Sequence, residues 1–511
     1  MSTPFQSSFG ASRRNFLRTT AAGAAAAAIA SRFTASARAA GPAYPTSSDK
    51  TSELIYMSAT KLAGLIREKK VSAAEAVKAC LARIEAVNPK LNAVVTLCAE
   101  RALLEAREAD AALAKGQIKG ALHGVPFTIK DSLETAGVVS TTGTLGRKTF
   151  VPGDDATVVA RVRAAGGILL GKTNTPEFTL GGGDRGTYNL VYGQTYNPYN
   201  LAHTPRGSSG GAGAIVSAGG SAFDIGSDFG GSIRSPAHAC GIAGIKPTLG
   251  RVPRSGHLPG YGGAWDTYQE LGPLARRVED IALITSIISG ADFLDPLAAD
   301  VPFGDFHTVN LKELRVAYYF DNKVHTPTPE TFDAMRTALK AIEGSVASMK
   351  EDFHGGDAEW RDLSPKLLKA DAGAWRQRLL KKHGTTQASP GFADGIGGDP
   401  IKSSDFTALV EQRDALRSRL LGWLESYDVI ICPTNAFPAP ALAKPVPGTA
   451  GYTSIYNLAG WPAAVVRAGT AKAEGLPIGI QVVGQPWRED VVFAVAAKIE
   501  AATGGWQKPP I

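Results

Sequence analysis

The chain has 511 residues, 44% hydrophobic and 20% charged, which suits a globular protein with a large core and excludes a disordered one. Its formal charge of +7 points towards nucleic acid, but five basic residues, Arg13, Arg14, Arg18, Arg32 and Arg38, fall in the first 39 positions, where there is no acid. The remainder carries 49 basic against 47 acidic residues, and a body of +2 gives no electrostatic ground for binding nucleic acid.

Residues 1–39 follow the three-part pattern of an export signal. Twin arginines precede Phe16 and Leu17, a short Ala-rich stretch follows, and "ASARAA" supplies small residues for cleavage after Ala39. The expectation is a twin-arginine leader and a periplasmic or secreted protein. No later stretch reaches the roughly 18 uninterrupted apolar residues of a membrane span. From Leu54 to Ala114 apolar residues recur at helical spacing, with Ser58 and Ser72 at N-cap positions. "GVPFTIKDS" reads as a buried strand with Lys130 at its exit, "DATVVARVRAAG" as a helix and "GILLGKT" as a strand. Glycine dominates 204–250, with helical "GAIVSAG" in its middle, and "VEDIALITSIISG" is a further helix.

Residues 300–400 read as an insertion or lid over the core. From 405 the chain returns to helix "TALVEQRDALRSRLLGWLES", strand "YDVIICP", helix "TSIYNLAGWPAAVV", strand "PIGIQVVG" and a closing helix from Asp490. Short, almost wholly apolar strands on both sides of the insertion belong to a sheet covered on both faces. The expected fold is α/β with one large domain over 40–511, its core at about 55–295 and 405–505. Cys80, Cys98, Cys240 and Cys432 form no CxxC pair; a Cys80–Cys98 bridge and free thiols both fit their spacing.

Two short motifs match known patterns without the context their chemistry needs. "GGILLGKT" satisfies G-x-x-x-x-G-K-[ST], but a phosphate loop needs a strand before it and a helix starting at the lysine. Here a helix precedes, the intervening residues are strand-like, and Pro176 disfavours an immediate helix. "GSSGG", residues 207–211, matches the G-x-S-x-G nucleophile elbow, yet "LAHTPR" before it is no strand. His238 and His257 remain candidate bases for a histidine triad.

A larger constellation, "RGSSGGAGAIVSAGGSAFDIGSDFGGSIRSPAHACGIAGIKPT" with the upstream "GVPFTIKD", resembles the amidase signature family of serine hydrolases. The resemblance extends through "GKTNTPEF", "YGQTYNPYN", "GPLARRVEDIALI", "DVIICPT" and "GLPIGIQVVG", from about residue 55 to 505. It implies a Ser-Ser-Lys triad: Ser232 as nucleophile, Ser208 as a bridging serine on a cis peptide, and Lys130 as base. It also implies an oxyanion hole from the amides of Phe229, Gly230, Gly231 and Ser232, with Asp228, Arg234 and Ser209 as supports. The chemistry is coherent, since a serine hydroxyl needs a neighbouring base and a lysine can serve only when burial makes it neutral. Arg206 departs from the family, where glycine commonly precedes Gly207; it either tightens the loop or projects to solvent.

The reading is an amidase acting on a small-molecule amide, with no metal or organic cofactor and at most a second copy of itself as partner. The alternatives are a glutamine-cleaving subunit of a tRNA-dependent amidotransferase and a catalytically dead scaffold. Tyr261, Trp265, Tyr268, Tyr452, Tyr456 and Trp461, in segments that approach the family's pockets, favour a neutral, largely apolar carboxamide.

Overall fold

Ser58 and Ser72 cap the helices that the apolar spacing predicts. Ser58 Oγ accepts the Lys61 N–H at 3.1 Å to open Ala59–Arg67. Ser72 and Glu75 exchange side-chain and backbone bonds at 3.0 and 2.7 Å, a capping box that opens Ala73–Leu91. Such caps contribute about 1 kcal/mol each. The computed structural model describes residues 50–180, 182, 185–260, 263–444 and 451–511, so the expected leader lies outside the described residues.

The strands run β1 (Val94–Leu97), β2 (Pro126–Lys130), β3 (Ile168–Thr173), β4 (Tyr188–Asn189), β5 (Gly193–Gln194), β6 (Phe223–Asp228), β7 (Ala243–Lys246), β8 (Glu270–Ala275), β9 (Arg315–Tyr318), β10 (Ser348–Glu351), β11 (Val429–Pro433), β12 (Ala463–Ala471) and β13 (Leu476–Gly484). All but the β4–β5 pair join one sheet of eleven, ordered β1-β3-β2-β6-β8-β7-β12-β13-β11-β9-β10. β2 is parallel to both neighbours, β3 and β6, while β6–β8, β7–β8 and β12–β13 are antiparallel, so the sheet is mixed.

Alternation explains why such apolar strands are stable in a sheet. Ile168 and Leu170 of β3 pack with helices Ala73–Leu91, Ala99–Ala114 and Gly210–Ser217 on one face. Leu169 between them packs with helices Thr157–Ala164, Val278–Ile288 and Glu489–Thr503 on the other. On that second face Phe127 of β2 stacks on Phe223 of β6 at 5.3 Å, each ring fully buried, worth about 1.5–3 kcal/mol apiece. Thr128 and Lys130 therefore face the opposite side, towards the start of helix Gly210–Ser217. That helix lies close to the backbone beneath it: a Cβ on Gly211 would stand 2.4 Å from the Asn174 nitrogen.

Two expectations change. Residues 453–466 are not one helix: Ser454–Ala459 ends at Gly460 (φ 72°), and β12 follows, because Gly460 turns the chain, Pro462 cannot continue a helix and Val465–Val466 favour a strand. The 300–400 segment also divides. β9 and β10 complete one edge of the main sheet, and helix Pro329–Ile342 packs against it. The later helices, Asp357–Leu368 and Ala374–Lys382, add no strand to the sheet, and the first packs on helix Ser403–Leu424. The chain just after the second is tied to the core by Phe178 against Phe392 at 5.2 Å, Thr144 to Thr385 at 2.6 Å and Glu177 to Ser389 at 2.7 Å. Among the described residues no helix is long and apolar enough to cross a membrane, and all four cysteines are free thiols.

Candidate active site

Parallel β2 and β6 pair with Thr128 opposite Asp224 and Ile129 opposite Ile225, so both strands end at the same edge of the sheet. Such an edge is where open α/β sheets bind ligands. Lys130 closes β2; beyond β6 the chain turns through Phe229, Gly230 and Gly231 to Ser232 and into the short helix Arg234–Ala239.

Lys130 is fully buried, and its Nζ donates to Ser208 Oγ at 2.6 Å, Ser227 Oγ at 2.9 Å and Ser209 Oγ at 3.0 Å. The Gly207–Ser208 peptide is cis, and Ser209 stands at the N-cap position of helix Gly210–Ser217. The Ser209 N–H donates to the Ser232 carbonyl at 3.1 Å, which joins this loop to the one bearing Ser232. Ser232 is half-buried and open to a reactant. Burial, opposed by Asp228 and Asp224, brings Lys130 down from 10.5 to about 7. The positive end of the helix that begins at Gly210 adds to that pull. Asp224, raised by burial to about 7, accepts from Thr128 Oγ1 at 2.6 Å and Thr173 Oγ1 at 3.1 Å.

The turn is held from below by a buried ion pair. Asp228 accepts from Arg234 Nη2 at 2.9 Å and Nε at 3.0 Å, from Asn457 Nδ2 at 2.9 Å, and from the amides of Gly231 and Ile233 at 2.7 and 3.0 Å. Burial pushes this carboxyl up, but the Arg234 charge and these donors prevail and hold it well below the usual range. Arg234 also donates to Gln481 Oε1 at 2.7 Å, the Thr453 carbonyl at 2.9 Å and Asn457 Oδ1 at 2.5 Å. The Gly231 amide is thus already committed to Asp228, unlike the expected open donor. The amides of Gly230 and Ser232 make no hydrogen bond within the described residues. A Cβ at Gly230 would meet only Ser454 at 3.9 Å, whereas at Gly231, φ 126°, it would meet Thr453 Oγ1 at 2.4 Å.

Sequence reasoning missed Ser227 and Asp224. A polar residue among apolar ones at 224 was the available signal; nothing local marked Ser227 as a third hydroxyl on Lys130. The competing motifs dissolve. Lys172 lies inside β3, donating to the Leu133 carbonyl and, at 2.7 Å, to Thr135 Oγ1, and no helix begins there. His238 Nδ1 accepts from the Gly479 N–H at 3.0 Å, and burial lowers its ring to about 4. His257 is buried and held well below its ordinary value. Neither bonds to Ser208, Ser209 or Ser232.

Beside Phe229 is a cleft. Its walls include apolar Leu180, Pro259 and Trp375, and also Arg254, His257, Asp266 and Gln269. The expected aromatic lining is different. Tyr261 and the Trp265 side chain lie outside the described residues, and Tyr268, Tyr452, Tyr456 and Trp461 are at most 2% exposed. Tyr456 Oη bonds Tyr319 Oη at 2.8 Å, and Tyr268 backs Phe229 edge-on at 5.7 Å. These rings share one buried cluster with Tyr319 and Trp360 behind the site. The Arg206 side chain is buried too, which excludes projection to solvent.

Comparison with known proteins agrees with this arrangement. The model of the Amidase family matches residues 75–493. The A-subunit of the glutamyl-tRNA(Gln) amidotransferase of Moorella thermoacetica is 34% identical over 495 residues, covering 90% of this chain and 99% of its own. Among solved structures, 6-aminohexanoate cyclic dimer hydrolase bound to its substrate superposes with a TM-score of 0.77 at 28% identity, covering 89% of this chain and 99% of that one. The peptide amidase of Stenotrophomonas maltophilia gives 0.77 at 25%, covering 89% and 98%. A mixed sheet wrapped in helices, a glycine-serine turn at its edge, and likeness along nearly the whole length of these proteins place the chain in the amidase family.

Proposed function

We propose that the protein cleaves a carboxamide through an acyl-Ser232 intermediate. Neutral Lys130 takes the proton of Ser208, Ser208 takes that of Ser232, and Ser232 Oγ attacks the amide carbon. The amides of Gly230 and Ser232, with Phe229 beside them, receive the developing oxyanion; one such donor is worth about 3–4 kcal/mol in the transition state. The proton returns through Ser208 to the leaving nitrogen, and water then releases the acid by the same relay. Asp228 and Arg234 hold the turn. The observation that carries this reading is the 2.6 Å bond from a fully buried Lys130 to Ser208. Labelling with a fluorophosphonate, followed by peptide mapping, tests it: modification elsewhere than Ser232 refutes the assignment.

For the substrate, the relatives favour the side-chain amide of glutamine, and a cleft with Arg254, Asp266 and Gln269 in its walls suits a polar acyl group. A neutral apolar carboxamide is the second reading, now supported by Leu180, Phe229, Pro259 and Trp375 instead of the core aromatics. Comparing glutamine, a simple aliphatic amide and an anilide at equal concentration separates them: fastest turnover of glutamine supports the first. We further infer from Arg13, Arg14 and the small residues ending at Ala39 that the folded chain is exported, which favours an enzyme working alone over one component of an assembly. N-terminal sequencing of periplasmic protein tests this, and an intact Met1 refutes it.

A further inference from the structure

Arg206 lies two residues before Ser208, with φ 65° and 4% of its surface exposed. Its backbone is fixed: the N–H donates to Thr204 Oγ1 at 3.0 Å, and the carbonyl accepts from Thr187 Oγ1 at 2.9 Å. Its side chain is poorly matched. Nη2 reaches Asn435 Oδ1 at 3.3 Å, the Phe437 ring lies 5.4 Å from Cζ, and Nε has no hydrogen-bond partner among the described residues. Among the described residues no carboxylate acts on it; burial lowers the guanidinium, to about 9. Asp228 is committed to Arg234 at 2.9 Å, and Glu270 faces Lys246 at 3.6 Å. Asn435 is itself 1% exposed, and its Nδ2 has no partner among the described residues either.

Buried charges are paired as a rule, because an uncompensated one costs far more than a neighbouring ring returns. Here an orphaned guanidinium nitrogen and an orphaned amide nitrogen stand on one buried surface, both donors, with a net positive charge. The acceptor that satisfies both is anionic, and the planar fork of a guanidinium matches a carboxylate. We propose that Arg206 and Asn435 bind a carboxylate carried by the substrate, so that the enzyme selects amides bearing a carboxylate away from the scissile bond. The source is the substrate because the cation is tied by the chain to the turn that carries Ser208. This rests on the amidase reading and narrows its substrates to a class that includes glutamine.

The test compares kcat/KM for glutaramate and valeramide, amides of equal chain length of which only the first carries a carboxylate. The wild type should prefer glutaramate. In Arg206→Met the ratio should fall about 30-fold or more, and in Arg206→Lys, which keeps charge without the fork, by less. Circular dichroism checks that each variant is folded, and Arg206→Lys carries the test if Arg206→Met is not. An unchanged ratio overturns the proposal. So does an equal fall in Asp184→Asn, which would make Asp184, outside the described residues, the counter-ion. Calorimetry on Ser232→Ala protein provides a readout independent of turnover. Glutarate should bind and should cease to bind when Arg206→Met is added. Inorganic phosphate binding as tightly as glutarate assigns a free-anion site and overturns the substrate's role. If neither amide is cleaved but glutarate binds through Arg206, the amidase reading fails and the carboxylate site stands; if glutarate does not bind, the site falls.

Discussion

Acidifying the enzyme should switch it off in step with proton uptake by Lys130. An exposed lysine at its ordinary value is neutral in roughly one molecule in 3,000 at pH 7, whereas a group near 7 is neutral in about half, a gain in base of roughly a thousandfold. Burial supplies that gain, bringing Lys130 from 10.5 to about 7, and the negative charges of Asp228 and Asp224 oppose it. Since the neutral form is the base, activity is full above that value and is lost as pH falls through it. On a chromogenic amide, log kcat/KM should rise with unit slope to an inflection near pH 7, and at pH 5 the rate should be about a hundredfold below the plateau. Asp224→Asn removes an anion that favours the ammonium form, so the inflection should move to lower pH. The shift should be modest, about one pH unit, because Asp224 is itself raised to about 7 and only partly ionised there. Lys130→Met should leave a residual rate without the inflection. A flat profile from pH 5 to 8, a shift to higher pH in Asp224→Asn, or an inflection that survives Lys130→Met would refute the base assignment.

Other expectations follow from the same geometry. Ser232→Ala should abolish turnover with little change in melting temperature, since it removes one half-buried hydroxyl; substantial residual rate in purified protein would contradict the nucleophile. Gly231→Ala should lower kcat sharply because its Cβ would fall 2.4 Å from Thr453 Oγ1 at a φ of 126°, while Gly230→Ala, with open space around it, should fold normally and act chiefly on substrate access. Denaturant titration and kinetics on both will show whether that asymmetry exists. Arg234→Met strands the buried Asp228 carboxylate and should cost about 3–5 kcal/mol of stability by chemical denaturation, partly recovered in the double variant with Asp228→Asn. EDTA should leave the rate unchanged; a loss restored by a stoichiometric divalent ion would overturn the cofactor-free mechanism.

The order of residues was enough to determine the local parts of this machine. A short apolar run placed Lys130 at the exit of β2, serine caps opened the first helices, and small residues marked the places where backbone must pass close to backbone. The joint pattern of Lys130, Ser208 and Ser232 carried the candidate site because its members recur in order within a long family likeness. Tertiary structure decided what lies around them. Ser227 reaches Lys130 only because β2 and β6 are neighbours, the two residues standing 97 positions apart in the chain. The Asp228 carboxylate that takes the Gly231 amide is held by nearby Arg234 and by Asn457, and Gln481 holds Arg234 in turn, the last two from distant segments. Tyr452 and Tyr456 are equally aromatic in a pocket or in a core, and packing against Tyr319, from just beyond β9, settled which. Periodicity and capping act between residues a few positions apart and can be read along the chain; burial, charge pairing and proton affinity depend on neighbours brought together from across it. Arg206, whose buried charge no acid among the described residues answers, is the clearest case: its setting is fixed by residues more than two hundred positions away.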